Sequence, residues 1–194
     1  MNEIWAILLA AGESTRMKTN KLLLPYKGKL VITTVIDIVM QSEADQLLLV
    51  LGAFREEILA VVDGRPVKHC YNHDYKKGML TSVQCGFRNL PDYAEAAIIF
   101  LGDQPMISAG VINRIISGYR SSKKGIIVPV YNGRRGHPVL ISTKYKEAVQ
   151  GLDPEEGLRS LLSQHAKDVQ EVEVALPGIL KDIDTMEDYL TETN

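Results

Sequence analysis

Cysteine is scarce in this sequence, because Cys70 and Cys85 are the only two among 194 residues. Two isolated cysteines cannot build a disulfide framework or supply the four thiolates of a zinc quartet. This scarcity is consistent with a reducing compartment. We therefore interpret both side chains as buried thiols rather than as reactive ones.

An excess of positive charge is also missing, since 22 Lys and Arg residues face 24 Asp and Glu residues and the net charge is -2. No broad basic field can hold a nucleic-acid backbone. Long hydrophobic runs are missing as well, and none approaches a membrane span. The apolar run Ile4–Ala11 follows Glu3 rather than the basic segment of a secretion signal. We predict a cytoplasmic protein without a nucleic-acid or membrane partner.

Short apolar runs alternate with amphipathic segments along the chain, which is typical of a mostly parallel sheet with helices on both faces. The predicted strands are Ile4–Ala10, Gln46–Leu51, Val67–Tyr71, Ala96–Leu101, Ile126–Val130 and Val139–Ser142. The predicted helices are Val31–Gln41, Leu80 to Leu90, Val111–Tyr119, Lys144–Val149 and Gly157–His165. We predict an α/β fold, a Rossmann-like three-layer sandwich.

No Pro/Ser/Gly linker divides the chain, so residues 1–194 are predicted to form one domain. Residues 1–130 would form the nucleotide-binding half and residues 131–194 an acceptor-side lobe over the sheet edge. The C-terminal stretch ILKDIDTMEDYL is predicted to be a strand that runs into a helix capped by Asp184 or Thr185.

The stretch GESTRMKT, residues 12–19, fits the P-loop pattern G-x-x-x-x-G-K-[ST] except that Met17 replaces the second glycine. In a P-loop that glycine lets backbone amides fold around a phosphate, and a large side chain obstructs them. We favour a different phosphate loop, in which Ala11 and Gly12 leave the main chain accessible while Arg16 and Lys21 supply two cations. A tight turn with two solvated cations is the alternative.

The longer stretch LAAGESTRMKTNKLLLP, residues 9–25, resembles the signature L-A-[AG]-G-x-S-x-R-M-G-x-x-K-[LM]-L-x-[PW]. That signature belongs to the nucleotidyltransferases of the molybdenum cofactor, a branch of the nucleotide-diphospho-sugar transferase superfamily. Further matches follow in family order: NHDYKKGMLTSV (72–83), LGDQP (101–105), GHPVLIS (136–142) and DIDTMEDY (182–189). The resemblance spans nearly the whole chain and departs at Lys18, where the family usually has glycine.

Carboxylates follow two of the predicted strands. Asp103 lies just past a buried strand, at the edge where open α/β sheets bind ligands, whereas Asp182 and Asp184 would share one face of the final strand. Mg²⁺ prefers one or two carboxylates completed by phosphate and water. The resemblance implies Mg²⁺, with Mn²⁺ as an alternative, on Asp103 and Asp184. A turn and a helix cap are the corresponding structural explanations.

Two other stretches concern the substrates. GMLTSV (78–83) begins a predicted helix, whose free amides and hydroxyls can contact a nucleotide or simply cap the helix. RRGHP (134–138) places Arg135 and His137 on a predicted exposed loop near an anionic acceptor, with a solvated turn as the alternative. Together with the first loop, the predicted nucleotide contacts are Leu9, Ala10, Ala11, Gly12, Arg16, Lys21, Gly78, Thr81 and Ser82.

The resemblance implies transfer of a nucleotidyl group from an NTP to the terminal phosphate of molybdenum-loaded molybdopterin, with release of pyrophosphate. Lys21, Arg16 and Asp103 would be the catalytic residues, and a molybdenum hydroxylase would receive the product. The Ala-Ala-Gly triplet at residues 10–12 resembles the cytidylyl branch, which favours CTP over GTP. The alternatives are a sugar or polyol phosphate acceptor, a non-catalytic molybdenum cofactor carrier, and a P-loop NTPase.

Overall fold

The computed structural model describes residues 3–17 and 19–193, so the expectation for Lys18 lies outside the described residues. The strands are β1 Glu3–Ala10, β2 Pro25–Tyr26, β3 Lys29–Leu30, β4 Gln46–Leu51, β5 Lys68–Tyr71, β6 Ala94–Leu101, β7 Ile126–Tyr131, β8 Arg134–Arg135, β9 Val139–Ser142 and β10 Val169–Glu173. The helices are α1 Val31–Met40, α2 Arg55–Val62, α3 Met79–Arg88, α4 Ala109–Ser122, α5 Lys146–Gln150, α6 Leu158–Gln164 and α7 Met186–Thr193.

The main sheet has the strand order β10-β7-β9-β6-β1-β4-β5, and β8 pairs with the last two residues of β7. β1 pairs in parallel with β4 on one side and with β6 on the other, and Leu8 lies opposite Leu49 and Phe100. A strand in this position is covered on both faces and is therefore apolar throughout. This requirement explains why the run IWAILLA carries no polar residue.

Successive residues of β1 enter two different cores. Ile4, Ala6 and Leu8 pack on one face of the sheet with α1, α2 and α4. Trp5 and Ile7 pack on the other face with α3, α5 and α6. Because strand side chains alternate between faces, one apolar run supports both cores and produces the predicted three-layer sandwich.

The strands predicted in the first half agree with the structure to within two residues at each end, and β4 agrees at both ends. Besides the two-residue strands β2, β3 and β8, two elements were not predicted, α2 and β10. The helix α2 buries only Ile58 and Val62, so its amphipathic pattern is weak. The strand β10 lies at the sheet edge and consists of half-buried and exposed residues, so it lacks a continuous apolar run.

The second half of the chain is built into the sheet rather than over its edge, so the predicted lobe is wrong in its placement. β9 lies between β6 and β7 and runs antiparallel to both. β10 extends the same sheet by pairing in parallel with β7. β9 and β10 therefore belong to the central layer, while α5 and α6 pack on one of its faces.

The predicted final strand is also wrong. Pro177–Leu180 forms a 3₁₀ turn, and the chain runs without regular structure from there to α7. Its position explains this outcome, because β10 already occupies the sheet edge next to β7. The predicted helix does follow, and Thr185 caps it: Asp188 N–H donates to Thr185 Oγ1, while the Thr185 N–H donates to the Asp188 carboxylate.

Within residues 3–17 and 19–193, no helix has the length and apolar character needed to cross a membrane. The cytoplasmic location stays a prediction from the sequence.

Candidate active site

A cavity of about 350 Å³ opens at the carboxyl ends of β1 and β6, beside the amino end of α3. This is the edge at which open α/β sheets bind ligands. Three chain segments line the cavity: the loop after β1, the start of α3 and the end of β6. The lining residues are Leu9, Ala10, Ala11, Gly12, Ser14, Arg16, Lys21, Leu22, Tyr75, Gly78, Met79, Ser82, Leu101, Gly102 and Asp103.

Met17 explains why the loop after β1 is not a P-loop. Its side chain is only 8% exposed and packs in the core with α1. Its N–H donates to Ser14 O at 3.0 Å, which closes a turn around Ser14, a residue with a φ of 51°. The position therefore holds a hydrophobic anchor where a P-loop needs an unobstructed glycine.

The same loop presents backbone donors to the cavity. Among the described residues, none accepts a hydrogen bond from the N–H groups of Gly12, Glu13 or Ser14. A Cβ added to Gly12 would meet no described atom within 4 Å, so protein packing does not require glycine there. Free amides beside an uncrowded backbone are suited to an approaching phosphate.

Lys21 is held by its immediate neighbours. The Asn20 side chain accepts from the Leu22 N–H at 3.1 Å and starts a 3₁₀ turn over Lys21–Leu23. Leu22 is buried, and the Lys21 N–H donates to Ser14 Oγ at 3.3 Å. The predicted apolar anchor after Lys21 therefore exists, and it fixes the backbone from which the ammonium extends.

The Lys21 ammonium lies between two carboxylates. Its Nζ is 2.5 Å from Asp103 Oδ2 and 2.8 Å from Asp184 Oδ1. Burial opposes the charge, but attraction to both carboxylates outweighs it and raises the pKa of Lys21 above its ordinary value. An ammonium has three N–H donors, so one is left for a ligand.

A backbone hydrogen bond brings Asp184 to this site. The Ile183 N–H donates to Asp103 O at 3.0 Å, which brings the segment before α7 alongside the end of β6. Ile183 is fully buried and fixes that segment in the core. Arg16 Nη1 also lies 2.9 Å from Asp184 Oδ2, so Asp184 joins both cations of the first loop.

This geometry distinguishes the two neighbouring aspartates, Asp182 and Asp184. Burial raises the pKa of Asp184, but Lys21 and Arg16 outweigh it and the pKa lies below its ordinary value. Asp182 has neither contact, and burial together with repulsion from Asp184 and Asp103 raises its pKa. Asp184 is thus the member of the pair that belongs to the ionic cluster.

One carboxylate oxygen is suited to a cation. Asp103 Oδ1 is buried and has no hydrogen-bond partner in the part of the chain that the structure describes. An unsatisfied buried carboxylate oxygen is costly unless a ligand completes it. No described group of three or more His, Cys, Asp or Glu residues could hold a metal alone. The site therefore fits a hard cation that takes one or two protein oxygens and completes its shell with phosphate and water.

The start of α3 forms the opposite wall. Gly78 and Ser82 line the cavity as predicted, whereas Thr81 does not. The Asn72 amide donates to Thr81 Oγ1 at 2.9 Å and to Ser82 Oγ at 3.0 Å, and Thr81 Oγ1 also lies 2.8 Å from Gly78 O. Thr81 therefore supports the wall from behind.

Tyr75 and Met79 are among the apolar lining residues that sequence reasoning missed. Met79 is 52% exposed although it is a large hydrophobic side chain, and Tyr75 is half-buried beside it. Both are part of the stretch NHDYKKGMLTSV, so the motif contained the signal. An exposed methionine beside a half-buried tyrosine on a cavity wall is suited to the face of a flat ring.

Arg135 and His137 line a different cavity, of about 480 Å³, together with Arg159 and Ser163 of α6. The Arg135 Nε lies 2.7 Å from Glu171 Oε1, and both side chains are about half exposed. His137 is largely buried, which lowers its pKa and favours the neutral ring, although the Ile99 carbonyl and Asp103 act in the opposite direction. His137 can therefore offer a hydrogen bond rather than a charge.

The loop predicted around Arg134 and Arg135 is a β-hairpin. β7 and β8 are joined by Asn132 and Gly133, which have φ values of 49° and 75°. Two successive residues with positive φ form the tight turn that matches the twist of paired strands. The Asn-Gly pair in the sequence was the signal for this hairpin.

Comparisons with known proteins agree with this architecture. A family model described as MobA-like NTP transferase domain matches residues 6–169. The chain is 30% identical over 193 residues to the molybdenum cofactor cytidylyltransferase of Escherichia coli (strain K12), a match that covers 98% of this chain and 96% of the relative. It is 26% identical over 193 residues to nicotine blue oxidoreductase of Paenarthrobacter nicotinovorans, covering 95% and 93%.

A solved structure supports the same assignment. Rv0371c from Mycobacterium tuberculosis H37Rv has a TM-score of 0.88 at 28% identity, covering 99% of this chain and 97% of that one. The complex of Rv0371C with manganese has a TM-score of 0.83 at 27% identity, covering 99% and 98%. These likenesses confirm the predicted α/β fold of the nucleotide-diphospho-sugar transferase type.

Proposed function

This chain belongs to the family of MobA-like NTP transferase domains and is a nucleotidyltransferase, and we propose that it transfers CMP from CTP to the terminal phosphate of molybdenum-loaded molybdopterin. Pyrophosphate is the second product. The observation that carries this proposal is the convergence of Arg16, Lys21 and Asp103 with the unpaired loop amides on one cavity. A nucleoside triphosphate is the ligand class that needs all of these groups.

The charges of the site support a divalent cation. Arg16 and Lys21 are balanced by Asp103 and Asp184, with which they form ion pairs. The negative charge of a triphosphate would therefore be left without compensation. Asp103 and Asp184 would hold Mg²⁺ or Mn²⁺. When bound, the cation supplies charge neutralisation between the phosphates.

The chain's own residues would orient the triphosphate. The N–H groups of Gly12 to Ser14 donate to phosphate oxygens, and Arg16 stabilises the leaving pyrophosphate. Lys21 uses its remaining N–H on the α-phosphoryl group, where charge accumulates during transfer. The acceptor phosphate attacks the α-phosphorus in line with the leaving oxygen, so no protein nucleophile is required.

Ser82, Tyr75 and Met79 would contact the base and ribose. They line the same cavity as the phosphate loop but come from a different segment of the chain. Ala11 is buried and lines the cavity, and the Ala-Ala-Gly triplet at residues 10–12 resembles that of the cytidylyl branch. This supports CTP over GTP.

Residues 131–194 would hold the acceptor, as the second half of a single domain. Arg135 and His137 line a cavity beside the nucleotide site rather than inside it. Arg159 and Ser163 on α6 face the same space and add a cation and a hydroxyl. A phosphorylated acceptor would bind there and direct its phosphate toward Asp103. A molybdenum hydroxylase would receive the product.

The test is pyrophosphate release with Mg²⁺ and each of CTP, GTP, ATP and UTP, with and without molybdenum-loaded molybdopterin. We expect release with CTP only when the acceptor is present. Chelation by EDTA should abolish release, and added Mg²⁺ or Mn²⁺ should restore it. Equal or better use of GTP would overturn the base assignment.

The same assay separates the alternatives. Release with a sugar or polyol phosphate but not with the pterin would identify another acceptor. Hydrolysis of NTP without any acceptor would indicate an NTPase. Binding of the pterin without release from any NTP would indicate a carrier. A protein that is only an oxidoreductase, as the name of the Paenarthrobacter nicotinovorans relative indicates for that protein, would release no pyrophosphate from any NTP.

A further inference from the structure

Cys70 and Cys85 are brought together by the fold although they lie outside the cavity. Their Sγ atoms are 3.6 Å apart, with Cys70 on β5 and Cys85 on α3. Cys85 is buried, whereas Cys70 is only partly buried on the strand at the sheet edge. The sequence-based interpretation of two separate buried thiols is thus incomplete.

The surroundings of the pair favour one thiolate beside one thiol. A hydrogen bond from Cys70 lowers the pKa of Cys85 to about 7, and the Arg88 guanidinium contributes further. The same hydrogen bond, together with burial, raises the pKa of Cys70. The Asn89 amide also approaches Cys85 Sγ at 3.9 Å. A thiolate next to a second thiol is the arrangement that oxidises reversibly.

The two cysteines are connected to the candidate nucleotide site through α3 and β5. Cys85 follows Ser82 by three residues, so both side chains lie on the same side of α3. Asn72, just after β5, holds the hydroxyls of Thr81 and Ser82. The contact between β5 and α3 therefore carries both the sulfur pair and the support of the cavity wall.

We propose that Cys70 and Cys85 are a peroxide-oxidisable pair that closes to an internal disulfide and thereby weakens nucleotide binding. The Cys85 thiolate attacks the O–O bond of hydrogen peroxide, giving a sulfenic acid and hydroxide. The Cys70 sulfur then attacks that sulfenic sulfur, forming the S–S bond and releasing water. Two thiols are oxidised and one peroxide is reduced to two waters.

The closure requires movement. Sulfur atoms 3.6 Å apart must approach by about 1.5 Å to reach the usual bond length of about 2.05 Å. Cys85 is a residue of α3 and its side chain is packed in the core, so the approach of the two sulfur atoms draws that part of α3 toward β5. Ser82 and Met79 move with it. The effect on nucleotide binding rests on the proposed function, whereas the disulfide does not.

The first test counts thiols by alkylation after denaturation. Peroxide should remove both alkylatable thiols from the wild type, and dithiothreitol should restore them. In Cys70→Ser, Cys85 should accumulate a sulfenic acid that dimedone traps, and Cys85→Ser should react much more slowly than the wild type. Wild-type thiols that remain alkylatable, or equal oxidation of Cys85→Ser, would overturn the proposal.

The second test asks whether the disulfide alters the nucleotide site. It measures amide hydrogen exchange in residues 78–88 and the affinity for CTP. The oxidised wild type should show altered exchange there and a Kd for CTP raised roughly tenfold. Cys70→Ser treated with peroxide and then reduced should match the reduced wild type. Unchanged exchange in a confirmed disulfide form would refute the coupling. If the reduced protein binds no NTP, the proposed function fails, while exchange and thiol counts still decide this proposal.

Discussion

Lys21 Nζ lies 2.5 Å from Asp103 Oδ2, and this ion pair joins the loop after β1 to the end of β6. The two side chains are 16% and 15% exposed, so the contact is shielded from most of the solvent. Asp184 adds a second carboxylate at 2.8 Å. The three residues come from distant parts of the chain, which makes the cluster a property of the fold rather than of one motif.

Lys21→Ala should lower kcat/KM for CTP by about 10²–10³-fold, because it removes a donor to the charge that develops during transfer. The largely buried Asp103 also loses its cation, so the free energy of unfolding should fall by about 3–5 kcal/mol, and the kinetics are measured where the variant is fully folded. Steady-state kinetics and urea denaturation measure the two effects. Lys167→Ala, an exposed lysine remote from the cavity, is the matched control. Near-normal turnover in Lys21→Ala would contradict the assignment.

Met17→Gly restores the P-loop consensus but should still destabilise the fold. The buried thioether packs against α1, and its loss should lower the free energy of unfolding by about 2–5 kcal/mol. Met17→Leu keeps the volume and should cost less than about 1.5 kcal/mol. Denaturation curves test both changes. A gain of acceptor-independent ATP hydrolysis in Met17→Gly would instead support a P-loop.

The parts of the fold that could be predicted from the sequence are those in which local pattern and burial agree. β1, β4 and β6 are continuous apolar runs because they are covered on both faces. β10 has only a parallel neighbour on one side and alternates weakly, so the sequence does not distinguish it from a loop. The pairing of β9 between β6 and β7 depends on long-range packing that no local pattern encodes.

The site shows the same division. The proximity of Arg16, Lys21 and Asp103 could be predicted because their motifs are local and similar to those of a known family. Asp184 was also predicted to lie near them, but its predicted strand is wrong, and its position depends on the distant hydrogen bond between Ile183 and Asp103. Thr81 and Ser82 are adjacent in sequence, yet only the structure shows that one of them faces the cavity.

Ser82→Ala and Thr81→Ala should both lower stability but should have different effects on catalysis. Each removes one acceptor of the buried Asn72 amide, so each should lower the free energy of unfolding by about 1–3 kcal/mol. Only Ser82 lines the cavity, so only Ser82→Ala should raise the KM for CTP by more than its stability loss explains. Kinetics at a temperature where both variants are fully folded make the comparison. A larger KM change in Thr81→Ala would contradict the assignment.

Asp182→Asn and Asp184→Asn should change stability in opposite directions near pH 7. The pKa of Asp184 lies below its ordinary value of 3.8, so its ionised form stabilises the fold above that value, and this contribution is lost as the pH falls through the lowered pKa. The pKa of Asp182 lies above 3.8 because burial and neighbouring carboxylates disfavour its charge, so its ionised form destabilises the fold at neutral pH.

Replacing Asp184 should therefore lower the free energy of unfolding at neutral pH, and replacing Asp182 should raise it. Both differences from the wild type should shrink as the pH is lowered toward the acid limb, where the native carboxylates become protonated. Urea denaturation across this range in EDTA measures the pair without interference from bound metal. If both variants change the free energy of unfolding in the same direction, Lys21 and Arg16 do not stabilise the ionised form of Asp184 in preference to that of Asp182. With the expected opposite signs, Asp184→Asn should also weaken Mg²⁺-dependent turnover while Asp182→Asn retains it, because only Asp184 belongs to the ionic cluster around Lys21.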